Sequence, residues 1–165
     1  MLFNFTKMHG LGNDMILIDD REEKIRNINE FARRILHRNT GVGADNLLIV
    51  RKPSLPGADV RMLILNNDGS EAEMCGNGIR CFAKFAYERG MVRSNPIKIE
   101  TPAGIRLAEM TIENGIVTAV RVDMGEPLFE KKDIPMKGEG ICRLETIEAL
   151  GRRFTISAVN TGAVS

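Results

Sequence analysis

The sequence predicts an α+β domain, a mostly antiparallel sheet curled around one central helix. Short apolar runs far outnumber helical stretches, two alternating runs flank an Asn-Gly pair, and strands and helices follow no regular βαβ alternation.

Met15 to Ile18 and Leu47 to Val50 are short apolar runs and read as strands. Between Asp59 and Leu65, Val60, Met62 and Ile64 keep the period-2 spacing of a strand, and Ile97 and Ile99 repeat it. Ile105 to Ile112 and Ile116 to Val122 flank Asn114-Gly115. That pair supplies the two positive-φ positions of a type I′ turn and predicts a β-hairpin. Phe154 to Val159 reads as a further strand. A first helix is predicted over Asn29 to Arg38, where Ile28, Phe31, Ile35 and Leu36 fall near one face. A second is predicted over Gly78 to Arg89, with Ile79, Phe82, Ala83 and Ala86 at helical spacing and Gly90 to stop it. A third is expected over Leu144 to Leu150, ending at Gly151. Lys131 to Gly140, charged and glycine-rich, reads as an exposed loop. With no repeat and no convincing linker, residues 1–165 read as a single domain.

Composition narrows the function. Apolar residues make up 43% of the 165, enough for a core, and the formal net charge is +1 with both signs interspersed. There is no basic stripe, no Trp and a single Tyr, Tyr87, so nucleic acid and an anionic membrane surface are poor partners. No secretory signal opens the chain, and no apolar run nears the ~20 residues of a membrane span, so a soluble cytoplasmic protein is expected. The cysteines are Cys75, Cys81 and Cys142, an odd number without a Cys-x-x-Cys pair. Only His9 and His37 join them, so neither a disulfide framework nor a metal site is expected.

The densest cluster of unusual residues is Asn66 to Cys81, running from a strand end into the second helix. Cys75 stands just before the helix start. There the unpaired N–H groups and the positive end of the helix dipole stabilise an anion and can lower a thiol pKa. Gly76 and Gly78 admit a ligand close to the backbone, and the same N–H groups can hold a carboxylate. A reactive thiol beside a carboxylate cradle suits proton abstraction next to a carboxylate. The competing reading, a cysteine as a small buried hydrophobe, fits Cys81 and Cys142 better than Cys75. Asn67 to Ser70 are turn residues, while Asn66 can present an amide from the strand end. Glu71 and Glu73 read as solvated. In Lys7 to Asp14 the glycines make a tight loop without dinucleotide-binding spacing, and Asn13 either bonds a ligand or caps the turn. Gly41 to Asn46 lacks the Lys-Ser/Thr of a phosphate loop and fits a helix-to-strand connection.

In this order and spacing, Lys7-Met8-His9-Gly10-Leu11-Gly12-Asn13-Asp14, Gly41-Val42-Gly43-Ala44-Asp45, Asn66-Asn67-Asp68-Gly69-Ser70-Glu71 and Met74-Cys75-Gly76-Asn77-Gly78-Ile79-Arg80-Cys81 resemble the diaminopimelate epimerase family. Val122-Asp123-Met124-Gly125-Glu126-Pro127 and Val159-Asn160-Thr161-Gly162 are similar to family signposts too, so the resemblance covers the chain. It implies two similar halves, each a β-structure around a central helix, with an amino-acid substrate between them. Each half supplies one cysteine at the start of its helix. One thiolate removes the α-proton and the other thiol delivers a proton to the opposite face, with no pyridoxal phosphate, metal or other cofactor. The resemblance makes Cys75 the acid/base of this half. Gly76 and Asn77 would hold the substrate carboxylate, and Asn13, Asn46 and Asn66 would bond its polar ends.

Two departures follow from the resemblance. At the place of Asn46 the family is expected to carry Gln. After Thr161-Gly162 a Pro-His pair is expected, where this chain has Val164 and Ser165. The second cysteine would belong to a C-terminal half, absent here, so the chain alone is expected to be inactive. A related cofactor-free racemase, or a non-catalytic half-domain associating through its open face, as in a homodimer, are the other readings.

Overall fold

The computed structural model describes residues 2–161. Gly162, Val164 and Ser165, which the sequence reading also used, lie outside the described residues. The chain forms two compact units, one ending at Asp123 and one beginning at Met124.

The first unit is a seven-stranded sheet with its strands in chain order: β1 (Thr6–Gly10), β2 (Asn13–Asp19), β3 (Asn46–Arg51), β4 (Val60–Asn66), β5 (Ile97–Thr101), β6 (Gly104–Glu113) and β7 (Ile116–Val122). Most neighbours are antiparallel, as the sequence predicts. The alternation of strand and helix is not regular, but two pairs, β2–β3 and β4–β5, are parallel. Helix α1 (Ile28–Leu36) lies between β2 and β3 in the chain, and α2 (Gly76–Glu88) between β4 and β5. Those helices supply the crossovers that parallel pairs need.

The two helices explain why the central runs are apolar without alternation. Ile16, Ile18, Leu47, Ile49 and Leu65 form one cluster with Ala32 and Leu36 of α1. On the other face of β3, Leu48 approaches Gly78 of α2. Strands covered on both faces read as continuous hydrophobic stretches. The sheet curls around α2, which packs against β1, β2, β3, β4, β6 and β7. So enclosed, α2 buries Ile79, Cys81, Phe82, Ala83, Phe85 and Ala86, on more than one face. Enclosing Phe82 completely contributes about 1.5–3 kcal/mol. Asn27 caps α1, its side chain accepting from the Glu30 N–H and donating to the Glu30 carboxylate. At the predicted β6–β7 turn, Asn114 and Gly115 have φ of 51° and 80°.

Strand β1 has no apolar run to announce it and pairs with β2 through Leu11-Gly12, both at positive φ. Its last residue, Gly10, approaches the start of α2 so closely that a Cβ there would lie 3.2 Å from the Asn77 Cβ.

In the second unit, the helix expected over Leu144 to Leu150 is instead strand β8 (Glu145–Ala149), antiparallel to β9 (Arg152–Ile156). Leu150 and Gly151 have φ of 52° and 70°, so the glycine read as a helix stop completes a hairpin turn. Between Met124 and β8 the chain is largely irregular. A 3-10 turn spans Lys131–Asp133, and bridges join Leu128 to Asn160 and Glu130 to Ile141. Cys142 is buried in this unit.

Candidate functional site

Register gathers the site at one end of the sheet. Asn46 opens β3 directly opposite Asn66, which closes β4. On the other side of β3, Asn46 pairs with Met15, two residues after Asn13 at the start of β2. Period-2 alternation turns all three asparagines to the face that carries Leu48, the face of α2. Asn46 Nδ2 donates to Asn66 Oδ1 at 3.0 Å, and Asn13 Nδ2 reaches Asn46 Oδ1 at 3.4 Å. From Asn66, Nδ2 donates to Ser70 Oγ at 3.0 Å.

Cys75 is the N-cap of α2, in extended backbone with φ −142° and ψ 106°. Its sulfur accepts the Gly78 N–H at 3.2 Å and donates to Asn13 Oδ1 at 3.6 Å. Cys75 is half-buried. The cap uses the third N–H of the helix. Those of Gly76 and Asn77, in the same first turn, have no helical acceptor and add to the dipole's positive end. Asn77 turns its side-chain oxygen to Arg80 Nη2 at 2.5 Å.

The other cysteines differ. Cys81 is buried on α2, and burial pushes its thiol up, against a smaller lowering by Arg80. A thiol kept protonated in a packed helix face is a packing residue.

Behind Asn13 stands an ionic group that the sequence reading missed. Asp45 Oδ2 accepts from Asn13 Nδ2 at 3.0 Å, and Asp45 Oδ1 from Arg38 Nη2 at 2.7 Å. Arg38 also grips Asp14 with both terminal nitrogens, at 2.9 and 3.1 Å, and Lys7 reaches Asp14 at 3.1 Å. Hydrogen bonds from Arg38, and then from Lys7 and the Asp45 N–H, outweigh burial and hold the Asp14 carboxyl well below the usual carboxylate range. The one available signal was that Asp14 and Asp45 each adjoin a strand-opening asparagine. Asp68 and Gly69 do form a turn, as read. Ser70 was not singled out, yet it receives Asn66, while Glu71 and Glu73 are exposed.

The structure thus brings Asn13, Asn46, Asn66 and Cys75 into one hydrogen-bonded line, with Gly76 and Asn77 at the adjoining helix start. All six of these residues are half-buried. A groove of about 690 Å³ runs elsewhere, beside α1, among Phe3, Ile25, Phe31 and Val42. Among the described residues no group of three or more His, Cys, Asp or Glu is placed to hold a metal ion, and no helix is long and apolar enough to cross a membrane.

A mostly antiparallel sheet wrapped on a helix is a fold that this chain shares with a solved racemase and a solved epimerase. A probable proline racemase from Agrobacterium radiobacter K84 superposes with a TM-score of 0.74 at 16% identity, over 96% of this chain and 49% of that one. A hydroxyproline epimerase from Agrobacterium vitis does so with a TM-score of 0.67 at 15% identity, over 95% and 48%. At these identities the likeness concerns the fold alone. The sequence is more specific. The family model described as diaminopimelate epimerase matches residues 5–130. The diaminopimelate epimerase of Pelotomaculum thermopropionicum is 52% identical over 96% of this chain and 57% of its own length. That of Methanococcus aeolicus is 48% identical over 98% and 58%. The chain belongs to the diaminopimelate epimerase family. It spans between half and three-fifths of the length of these relatives.

Proposed function

We propose that residues 1–165 are the N-terminal catalytic half of a diaminopimelate epimerase, an isomerase inverting one α-carbon of L,L-diaminopimelate to the meso form in lysine biosynthesis. The observation that carries this is Cys75 at the cap of α2, its sulfur between the Gly78 N–H and the Asn13 amide. Family membership, with relatives that extend well beyond this chain, supports the rest.

The chemistry follows from the acidity of the reacting proton. An amino-acid α-proton is very weakly acidic, so its removal needs positive groups preorganised around the developing charge. The Gly76 and Asn77 N–H groups would take the α-carboxylate at the positive end of α2. Cys75 would then transfer the proton on one face, and Gly78 would stabilise the thiolate. Asn13, Asn46 and Asn66 would hydrogen-bond the polar ends of the substrate. Inversion needs a second acid/base on the opposite face. A C-terminal half would supply it and cover the cluster, without pyridoxal phosphate or metal. Exposed apolar side chains in the second unit, among them Leu128, Phe129, Leu144 and Phe154, are surface that such a partner can cover. The enzyme would be cytoplasmic.

Asn46 motivates a second reading, a related cofactor-free racemase acting on another amino acid. The family is expected to place the longer Gln there, and here both ends of the shorter amide are already bonded.

Deuterium wash-out tests these readings. The chain is mixed in D2O with a separately made C-terminal half of the Pelotomaculum relative and L,L-diaminopimelate, under reducing conditions. The α-proton signal should disappear with both halves present and persist with the Cys75→Ser chain. Wash-out by this chain alone would mean that a homodimer builds the site. Wash-out of other amino acids but not of diaminopimelate would select the second reading. No exchange of any of them, while the intact relative works alongside, would refute the assignment.

A further inference from the structure

Every hydrogen bond in the line through the asparagines points the same way. The Cys75 S–H donates to Asn13 Oδ1, Asn13 Nδ2 to Asn46 Oδ1, Asn46 Nδ2 to Asn66 Oδ1 and Asn66 Nδ2 to Ser70 Oγ. The Ser70 hydroxyl then donates to Asp68 Oδ1 at 2.6 Å. An amide has almost the same shape when turned over, so the direction needs a cause. Two carboxylates provide it, because an ionised carboxylate accepts and cannot donate. At one end, Asp45 Oδ2 takes the second proton of Asn13 Nδ2. At the other, Asp68 takes the single Ser70 proton and leaves only lone pairs for Asn66. Followed inward, each constraint turns the Asn13 oxygen, not its nitrogen, towards sulfur.

We propose that Asp45 and Asp68, neither of which touches the Cys75 sulfur, are positioning residues that fix the direction of the amide line, so that Asn13 presents an acceptor to the thiol. The inference rests on Cys75 being the reactive thiol of the proposed function. It gives Asn13 the task of accepting the Cys75 S–H, while the Gly78 N–H is aimed at the lone pairs of the sulfur. Asp45 is ion-paired with Arg38 at 2.7 Å, and the hydroxyl and N–H of Ser70 draw the Asp68 carboxyl below the usual range.

The groups around the thiol dictate the design of the test. From α2 it meets the Gly78 N–H, with Arg80 and Cys81 one turn on. From β2 it meets Asn13, with Asp45, Asp14, Arg38 and Lys7 behind. Neutralising a carboxylate would itself favour thiolate, so the effect must be read with and without Asn13. The rate of Cys75 alkylation by iodoacetamide is followed from pH 6 to 10 on the 165-residue chain, by peptide mass, with buried Cys81 and Cys142 as slow internal controls of the fold. Asp45→Asn with Asp68→Asn should speed Cys75 alkylation at neutral pH about threefold or more, because the thiol loses its fixed acceptor. Asp45→Asn with Ser70→Ala, which breaks the line at a different place, should do the same. Asn13→Ala alone should match them, and adding the two carboxylate changes to Asn13→Ala should accelerate alkylation at most half as much as they do where Asn13 is present. Equal acceleration in both backgrounds would be a plain charge effect and would overturn the proposal, as would no acceleration where Asn13 is present. No substrate enters the assay. It can therefore succeed where the deuterium experiment fails, or fail where that succeeds.

Discussion

Gly78 donates its backbone N–H to the Cys75 sulfur across 3.2 Å and leaves that sulfur no room to be crowded. A Cβ at Gly78 would lie 3.2 Å from both the Cβ and the Sγ of Cys75, and 3.4 Å from Leu48 Cδ2. In an ordinary helix position Gly→Ala stabilises by up to about 1 kcal/mol. Here the thiol must give by a few tenths of an ångström. Gly78→Ala should therefore keep or slightly raise the melting temperature while slowing α-proton exchange in the two-half assay by roughly tenfold, since an ~1 Å displacement of a reacting group can cost about 100-fold. Unchanged exchange would show that the glycine is not there for the sulfur.

Cap and catalyst can be separated at Cys75 itself. Serine keeps an acceptor for the Gly78 N–H, whereas alanine removes it and should cost about 0.5–2 kcal/mol of stability. Both variants lose the thiol, and proton exchange should fall by roughly 100-fold or more in each. Thermal unfolding read beside deuterium wash-out should show Cys75→Ser stable and inactive, and Cys75→Ala less stable and equally inactive. Equal melting temperatures would remove the capping role.

Most of this fold was legible in the sequence because its strands are either buried on both faces, as Leu47–Val50 is, or bounded by turn residues, as at Asn114-Gly115. Strand β1 was not, since Lys7 and His9 alternate with residues that carry no strong apolar signal. Glu145–Ala149 was misread because Gly151 can end a helix or complete a two-residue turn, and five residues hold too little periodicity to decide. Cys75 and the three asparagines were visible as residue types. Their joining was not, because it depends on register. Asn46 meets Asn66 only through the β3–β4 pairing, and the directing carboxylates are an ordinary turn residue and the neighbour of a strand start.

At the open edge of the sheet, α2 stands in for a missing strand. Lys84 Nζ donates to the Val117 carbonyl at 2.7 Å, and Glu88 Oε1 accepts the Val117 N–H at 2.9 Å. The two side chains also pair with each other at 2.6 Å. Both backbone groups of a buried edge residue are thus satisfied from within. Lys84→Met keeps the aliphatic stem but leaves the carbonyl bare, at about 1–3 kcal/mol. A drop of roughly 3–10 °C in the melting temperature is expected, with more self-association in sedimentation as the edge becomes available. A variant as stable and as monomeric as the parent would mean that water satisfies this edge.

Glu100 gives the clearest pH dependence. Its carboxylate is buried on β5 and accepts from the Ser54 hydroxyl at 2.5 Å, the Ser54 N–H at 2.6 Å and the Leu55 N–H at 2.9 Å, with Arg61 Nε at 3.5 Å. Burial alone would raise the acid. The bonds from Ser54 and Leu55, with Arg61, more than offset it and hold the carboxyl below its ordinary range. A depressed acid stabilises the fold above its unfolded pKa, and that stabilisation is lost as pH falls through the folded value. Glu100→Gln keeps the shape but replaces one accepting oxygen by a donor facing donors. It should cost about 1–3 kcal/mol at pH 7 and loosen the segment around Ser54 and Leu55 in hydrogen exchange. Denaturant melts of parent and variant should converge as the pH drops below the ordinary glutamate range, about 4.3, because the parent then loses the same interaction by protonation. Curves that stay parallel into that acid range would mean that Glu100 holds the segment by packing rather than by charge.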